Sequence, residues 1–186
     1  MLEEIYIKNK VGEWPDKNST HSYIPVYEEL LAPYRLDPRN KILEIGLFSG
    51  HSLLMWEEYF QGDVYGIDCS DQPHGGMMDL RPLIALGTHK ISIFDASDPI
   101  RVEKYFKGIQ FNVIIEDASH DINQQVEIYN NFKSYLAPDG IYIIEDVQDI
   151  DNTRSIFEAL DPKRTIQILD RRQVKNRYDD VLIVIK

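Results

Sequence analysis

Five short apolar runs rich in β-branched residues, separated by stretches with helical spacing, constrain this chain more than any other feature. The runs cover residues 41–47 (KILEIGL), 63–69 (DVYGIDC), 89–96 (HKISIFDA), 111–117 (FNVIIED) and 140–147 (GIYIIEDV). Between them apolar residues recur at helical intervals, as in Leu53, Leu54, Trp56, Tyr59 and Phe60, or Val126, Tyr129, Phe132, Tyr135 and Leu136. Alternation of this kind predicts a parallel sheet with helices on both faces, and nearly continuous apolar strands are what burial on both faces requires. Two last runs, residues 164–170 (RTIQILD) and 180–186 (DVLIVIK), are joined by a polar turn and predict an antiparallel hairpin that closes the sheet. The expected class is α/β, with seven strands, mostly parallel.

At 186 residues, 43% of them hydrophobic, the chain can bury one core. Residues 41–186 are expected to form one domain, and residues 1–40 a lead-in segment packed on it. In that segment a polar stretch (EWPDKNSTHSY) precedes an amphipathic one (IPVYEELLAPYR), with Ser19 or Thr20 placed to cap a helix. The sequence has no run of about 18 apolar residues and no signal-peptide pattern, which predicts a cytoplasmic protein without a membrane partner. Cys69 is the only cysteine, so no intrachain disulfide or thiolate zinc cage can form, and it is expected to be a small buried hydrophobe. Acids outnumber bases 31 to 20, for a net charge of −11, which argues against nucleic acid as a partner. The one basic cluster, RRQVKNR at residues 171–177, fits a solvated turn between the last strands better than a phosphate-binding patch.

The tetrapeptide IIED closes two of the strands, at Ile114 to Asp117 and again at Ile143 to Asp146. Carboxylates gathered at neighbouring strand ends repel one another and lose hydration, so something must compensate them. The first strand-to-helix turn, LEIGLFSGHS, adds Glu44, Gly46, Gly50 and Ser52 where an open α/β sheet binds its ligand. The dinucleotide pattern GxGxxG is not met, because Phe48 stands where its second glycine would allow a pyrophosphate to approach. A carboxylate as deep as Glu44 suits a ligand with a positively charged end. Asp68 ends the second strand, where an acid can bind ribose hydroxyls, and Asp95 ends the third. Singly each is a turn residue; together they favour a nucleoside.

These motifs resemble the class I S-adenosylmethionine-dependent methyltransferases: ExGxxxGxS on the first strand and turn, Asp at the next two strand ends, and a Rossmann-like seven-stranded sheet with a final hairpin. DKNSTHSYIPVYEELL, DASH and IIED are more narrowly similar to the macrolide sugar O-methyltransferases of the mycinamicin and macrocin type. The resemblance implies S-adenosyl-L-methionine bound by Glu44, Gly46, Gly50, Ser52, Asp68 and Asp95. It further implies a divalent cation, Mg²⁺ or Mn²⁺, held by Asp117, Glu145 and Asp146, with His120 of the DASH motif as general base. Glu116 is expected on the other side of the sheet, away from Asp117. The implied reaction is methyl transfer to a hydroxyl of a sugar or glycoside, a small-molecule acceptor. Larger members of that family carry an N-terminal auxiliary domain that is not expected here, so acceptor identity and assembly, including any homo-oligomer, do not carry over.

Two rivals stay open: a catechol or vicinal-diol O-methyltransferase, and a non-catalytic S-adenosylmethionine-binding module. Lys17, His21 and Tyr23 are compatible both with a place near the site and with capping or solvation. The loop DQPHGGMMDLRP offers Met77 and Met78 to the adenine or to plain packing.

Overall fold

The computed structural model describes residues 1–10, 15–71 and 79–186. The loop that carries Met77 and Met78 lies outside the described residues. Strands β1 (Lys41–Ile45), β2 (Asp63–Asp68), β3 (Lys90–Ile93), β4 (Phe111–Glu116), β5 (Leu136–Ile144), β6 (Ile166–Asp170) and β7 (Val181–Ile185) form one sheet, ordered β3-β2-β1-β4-β5-β7-β6. The first five are parallel, while β7 runs antiparallel to both β5 and β6. The hairpin thus forms as expected, with its second strand inserted next to β5. Strand order reverses between β1 and β4, which opens a crevice at their carboxyl ends.

Each strand alternates its side chains between two apolar layers. Ile42, Ile115 and Ile143 face helices α1 (Leu2–Asn9), α2 (Ile24–Leu31) and α3 (His51–Tyr59). Leu43, Ile45, Ile114, Tyr142 and Ile144 face α5 (Pro99–Phe106), α6 (Ile122–Phe132) and α7 (Ile150–Glu158). A short α4 (Arg81–Leu86) lies on the first side, where Leu83 and Ile84 pack against the core. No helix among the described residues is long and apolar enough to cross a membrane.

The lead-in segment differs locally from expectation. Neither Ser19 nor Thr20 caps a helix: α2 begins at Ile24 with Tyr23 at its N-cap and Pro25 in its first turn, where a missing amide hydrogen costs nothing. Residues 15–22 form turns, yet Lys17, His21, Ser22 and Tyr23 are all buried. The basic stretch 171–177 is more than a solvated turn. It contains a single-turn helix α8 (Arg172–Lys175), and Arg171 Nε donates to Ser22 O at 3.1 Å and Ser22 Oγ at 2.8 Å. Lys175 Nζ donates to Asn18 O. These cations therefore pin the lead-in segment from the far edge of the sheet.

Candidate active site

The two IIED segments are out of step by one residue. Glu116 pairs with Ile144 and the Glu145 amide donates to Glu116 O at 2.9 Å, so Asp117 lies beside Glu145. Strand alternation then sends Asp117 and Glu145 toward α2 and α3 and sends Glu116 to the opposite layer, as expected. Glu44 shares the face of Asp117 and Glu145, because it pairs with Ile115.

Lys17 from the lead-in segment enters the middle of this carboxylate row. Its Nζ lies 2.8 Å from Asp117 Oδ2, 2.6 Å from Glu145 Oε1 and 3.8 Å from Glu44 Oε1, with the side chain 1% exposed. Burial alone would strip its proton, but three carboxylates outweigh burial and hold the ammonium well above the usual lysine range. Glu145 Oε1 also accepts from Tyr27 Oη at 2.5 Å, and Glu44 Oε1 from Trp56 Nε1 at 3.0 Å. Burial pushes Glu44 up to about 7 and raises Glu145 too, against the pull of Lys17.

A second group of donors lies beside this row. His120 Nε2 is 3.0 Å from Asp117 Oδ1 and 3.6 Å from Asp146 Oδ2, and donor atoms of Asp117, His120 and Asp146 all fall within 4.8 Å of one another. By alternation Asp146 would follow Glu116 to the other layer. Its φ of +56° turns the chain instead, and Tyr23 Oη donates to Asp146 Oδ1 at 2.6 Å. Phe48 and His120 also have positive φ, at +50° and +57°. Backbone strain at non-glycine residues clusters where a surrounding structure over-determines it, often at functional sites.

Burial opposes the charge on Asp117, yet Lys17 and His120 hold its carboxyl at about 2. Burial likewise disfavours a charged His120, but the Asp117 hydrogen bond and the charges of Asp117 and Asp146 push it up to about 9. Asp146 rises to about 6 through burial and the nearby Asp117, against His21 and His120.

A cavity of about 300 Å³ opens on the other side of Asp117, at the crevice between β1 and β4. Gly46, Phe48, Asp68, Phe94, Asp95 and Asp117 are among its lining residues. Gly46 is required there: its φ is +90°, and a Cβ would sit 2.0 Å from Asp117 O. Asp68 works as a latch, its Oδ2 accepting from the Leu47 amide at 2.8 Å and the Phe48 amide at 2.9 Å, its Oδ1 from the Ser70 amide at 3.0 Å. Asp95 accepts from the Ser97 amide at 2.9 Å and from Ser97 Oγ at 2.6 Å.

The structure thus brings Gly46, Asp68, Asp95 and Asp117 to one cavity, and Asp117, His120 and Asp146 to one donor cluster. It does not bring Glu44, Gly50 or Ser52 to the cavity wall. Glu44 points to α3, the face opposite to that of Ile45; Gly50 is held by packing, since a Cβ would meet Leu83 Cδ1 at 2.7 Å; Ser52 lies in a small cleft with Lys17. Glu145, expected among the cation ligands, is turned to Lys17 and Tyr27. Cys69, expected to be buried, is exposed at the cavity, where partial desolvation of the thiol and the adjacent Asp68 raise its pKa. Tyr27 escaped the sequence reading altogether. Its only signal is the one-turn spacing from Tyr23, which apolar packing explains equally well.

No protein-family model matches the chain. Among curated sequences, it is 30% identical over 141 residues to 8-demethyl-8-alpha-L-rhamnosyl tetracenomycin-C 2'-O-methyltransferase of Streptomyces olivaceus, a match covering 72% of this chain and 35% of that protein. It is 29% identical over 156 residues to demethylmacrocin O-methyltransferase of Streptomyces fradiae, covering 78% of this chain and 36% of the relative. The matched part is thus about a third of the length of these curated relatives. Among solved structures, the MycE methyltransferase of the mycinamycin biosynthetic pathway, in complex with Mg, S-adenosylhomocysteine and mycinamycin VI, aligns with a TM-score of 0.71 at 19% identity, covering 100% of this chain and 54% of that one. An O-methyltransferase of Bacillus cereus in complex with S-adenosylhomocysteine aligns with a TM-score of 0.65 at 18% identity, covering 99% of this chain and 89% of that one. The chain therefore has the Rossmann-like fold of the S-adenosylmethionine-dependent methyltransferases and is similar in sequence to these Streptomyces O-methyltransferases over about a third of their length.

Proposed function

We propose that the chain carries out methyl transfer from S-adenosylmethionine to a hydroxyl of a sugar or glycoside, assisted by a divalent cation, Mg²⁺ or Mn²⁺. The observation that carries this reading is the double position of Asp117, which lines the cavity on one side and joins His120 and Asp146 on the other. A donor in the cavity and an acceptor at the cluster would meet across one residue. Gly46, Asp68 and Asp95 would bind the donor, with the latch of Asp68 fixing the first turn before the ligand arrives.

The carboxylates of Asp117, 20% exposed, and Asp146 fit a cation with hard oxygen ligands and an open side, while His120, 28% exposed, is left free to act as the base. A divalent cation on Asp117 and Asp146 would lower the hydroxyl pKa of the acceptor and offset the negative charge that keeps His120 protonated. Lys17 holds Glu145 and Asp117 in place from below. In the transfer, the carbon–sulfur bond would break as the new carbon–oxygen bond forms, and the hydroxyl proton would pass to His120 Nε2, the ring nitrogen that faces Asp117.

The test is label transfer from methyl-labelled S-adenosylmethionine to a panel of glycosides and vicinal diols, with and without EDTA. Cation-dependent labelling of a glycoside is expected, and His120→Ala should lower kcat by about 10² to 10⁴. Labelling of diols alone would move the acceptor to catechols. Calorimetry that detects no S-adenosylhomocysteine binding would remove the reading.

A further inference from the structure

We propose a second divalent-cation site, adjoining the first and formed by His21, Asp146 and Asp179, with the Asp146 carboxylate bridging the two. Donor atoms of these three residues lie within 4.8 Å of one another, and the residues are 1%, 4% and 2% exposed.

The buried imidazole of His21 points to a ligand. Among the described residues neither ring nitrogen has a hydrogen-bond partner, whereas the Asp179 carboxylate is held by Arg177. A buried polar group left in that condition is costly, and such orphans mark an ion or water. His21 Nδ1 is 3.3 Å from Asp146 Oδ1 and 3.7 Å from Asp180 Oδ1, and Nε2 is 3.6 Å from Asp16 Oδ2. Two donors bound at about 2.1 Å to one cation are separated by roughly 3 to 3.5 Å in octahedral or tetrahedral geometry, which the His21 to Asp146 spacing matches.

Charge supports the same assignment. Asp16, Asp146, Asp179 and Asp180 surround His21, while Arg177, with Nε 2.7 Å from Asp179 Oδ1, compensates one of them. The two oxygens of Asp146 divide between the sites: Oδ1 faces His21 and Oδ2 faces His120. One imidazole with two carboxylates selects Mn²⁺ or Zn²⁺ over Ca²⁺. Because all three donors are buried, no side is open to an acceptor, so the second cation is structural. It ties the lead-in segment (His21) to the end of β5 (Asp146) and to the residues before β7 (Asp179).

This inference rests on the proposed function only through the shared Asp146. The metal-depleted full chain is titrated with Mn²⁺ alone, with bound metal measured by mass spectrometry and electron paramagnetic resonance. Two Mn²⁺ per chain with an exchange-coupled spectrum are expected, falling to one uncoupled ion in His21→Gln and in Asp179→Asn. One Mn²⁺ in the wild type, lost in Asp117→Asn but kept in His21→Gln, overturns the second site and leaves the first standing. No bound Mn²⁺ overturns both.

Discussion

The two IIED segments carry the same four residues to different ends. In the first, Glu116 is buried in the α5–α6 layer with one weak contact, from the Ala118 amide at 3.3 Å, and Asp117 is a fully compensated anion. In the second, Glu145 is the residue paired with Lys17, and Asp146 turns back to meet Tyr23 and His120. The one-residue offset between β4 and β5 decides this. It places the second acid of one pair beside the first acid of the other, so identical local sequence gives one neutral structural carboxyl and three site carboxylates.

The comparison breaks most sharply at Lys17. Removing it in Lys17→Ala leaves Asp117, Glu145 and Glu44 buried without their cation, and loss of one partner from a buried ion pair costs about 3 to 5 kcal/mol. Denaturant unfolding at pH 7 measures this, and a loss below about 1 kcal/mol would show that another group compensates the row.

Glu116 tests the opposite half. Burial raises its carboxyl to about 8, against the Ala118 amide and the charge of His120, whereas an unfolded Glu titrates near 4.3. A folded pKa above the unfolded one means that the contribution is fully present below about pH 4.3 and is lost as pH rises through about 8. Glu116→Gln has no such loss, so in EDTA its stability relative to the wild type should climb between pH 5 and 8, by on the order of 3 kcal/mol. A pH-independent difference would mean that Glu116 ionises freely in the folded protein.

The smallest effect belongs to Asp68, a strand-end acid bound to backbone amides rather than to a cation. Asp68→Ala should weaken S-adenosylhomocysteine binding by about 1 to 3 kcal/mol in calorimetry through loss of the latch. Unchanged affinity would place the donor elsewhere.

Much of this was legible in the sequence because it depends on local periodicity. Alternating apolar runs gave the seven strands and the hairpin, and alternation alone separated Glu116 from Asp117. What was not legible depends on contacts made across the chain. Lys17 sits 100 residues from Asp117 and 128 from Glu145, and nothing in a stretch of polar turn residues says which strand ends it will reach. The repeated acids predict a metal cation between them, while the structure supplies an internal ammonium for Glu44, Asp117 and Glu145. The place of Glu44 just before the glycine turn predicts a position at the cavity, yet its parity on β1 turns it to Trp56 instead. Asp146 joins the cluster only through a left-handed backbone turn that no residue type in IIEDV announces.

The central claim, that cation chemistry lies with Asp117 and Asp146 and not with Glu116, is tested most directly by Mn²⁺ titration of three proteins side by side. Asp117→Asn is expected to bind one of the two Mn²⁺ ions at least about tenfold more weakly than the wild type, a loss of about 1.4 kcal/mol, while Glu116→Gln binds both equally well. Equal loss in both variants, or undiminished binding in Asp117→Asn, would contradict it.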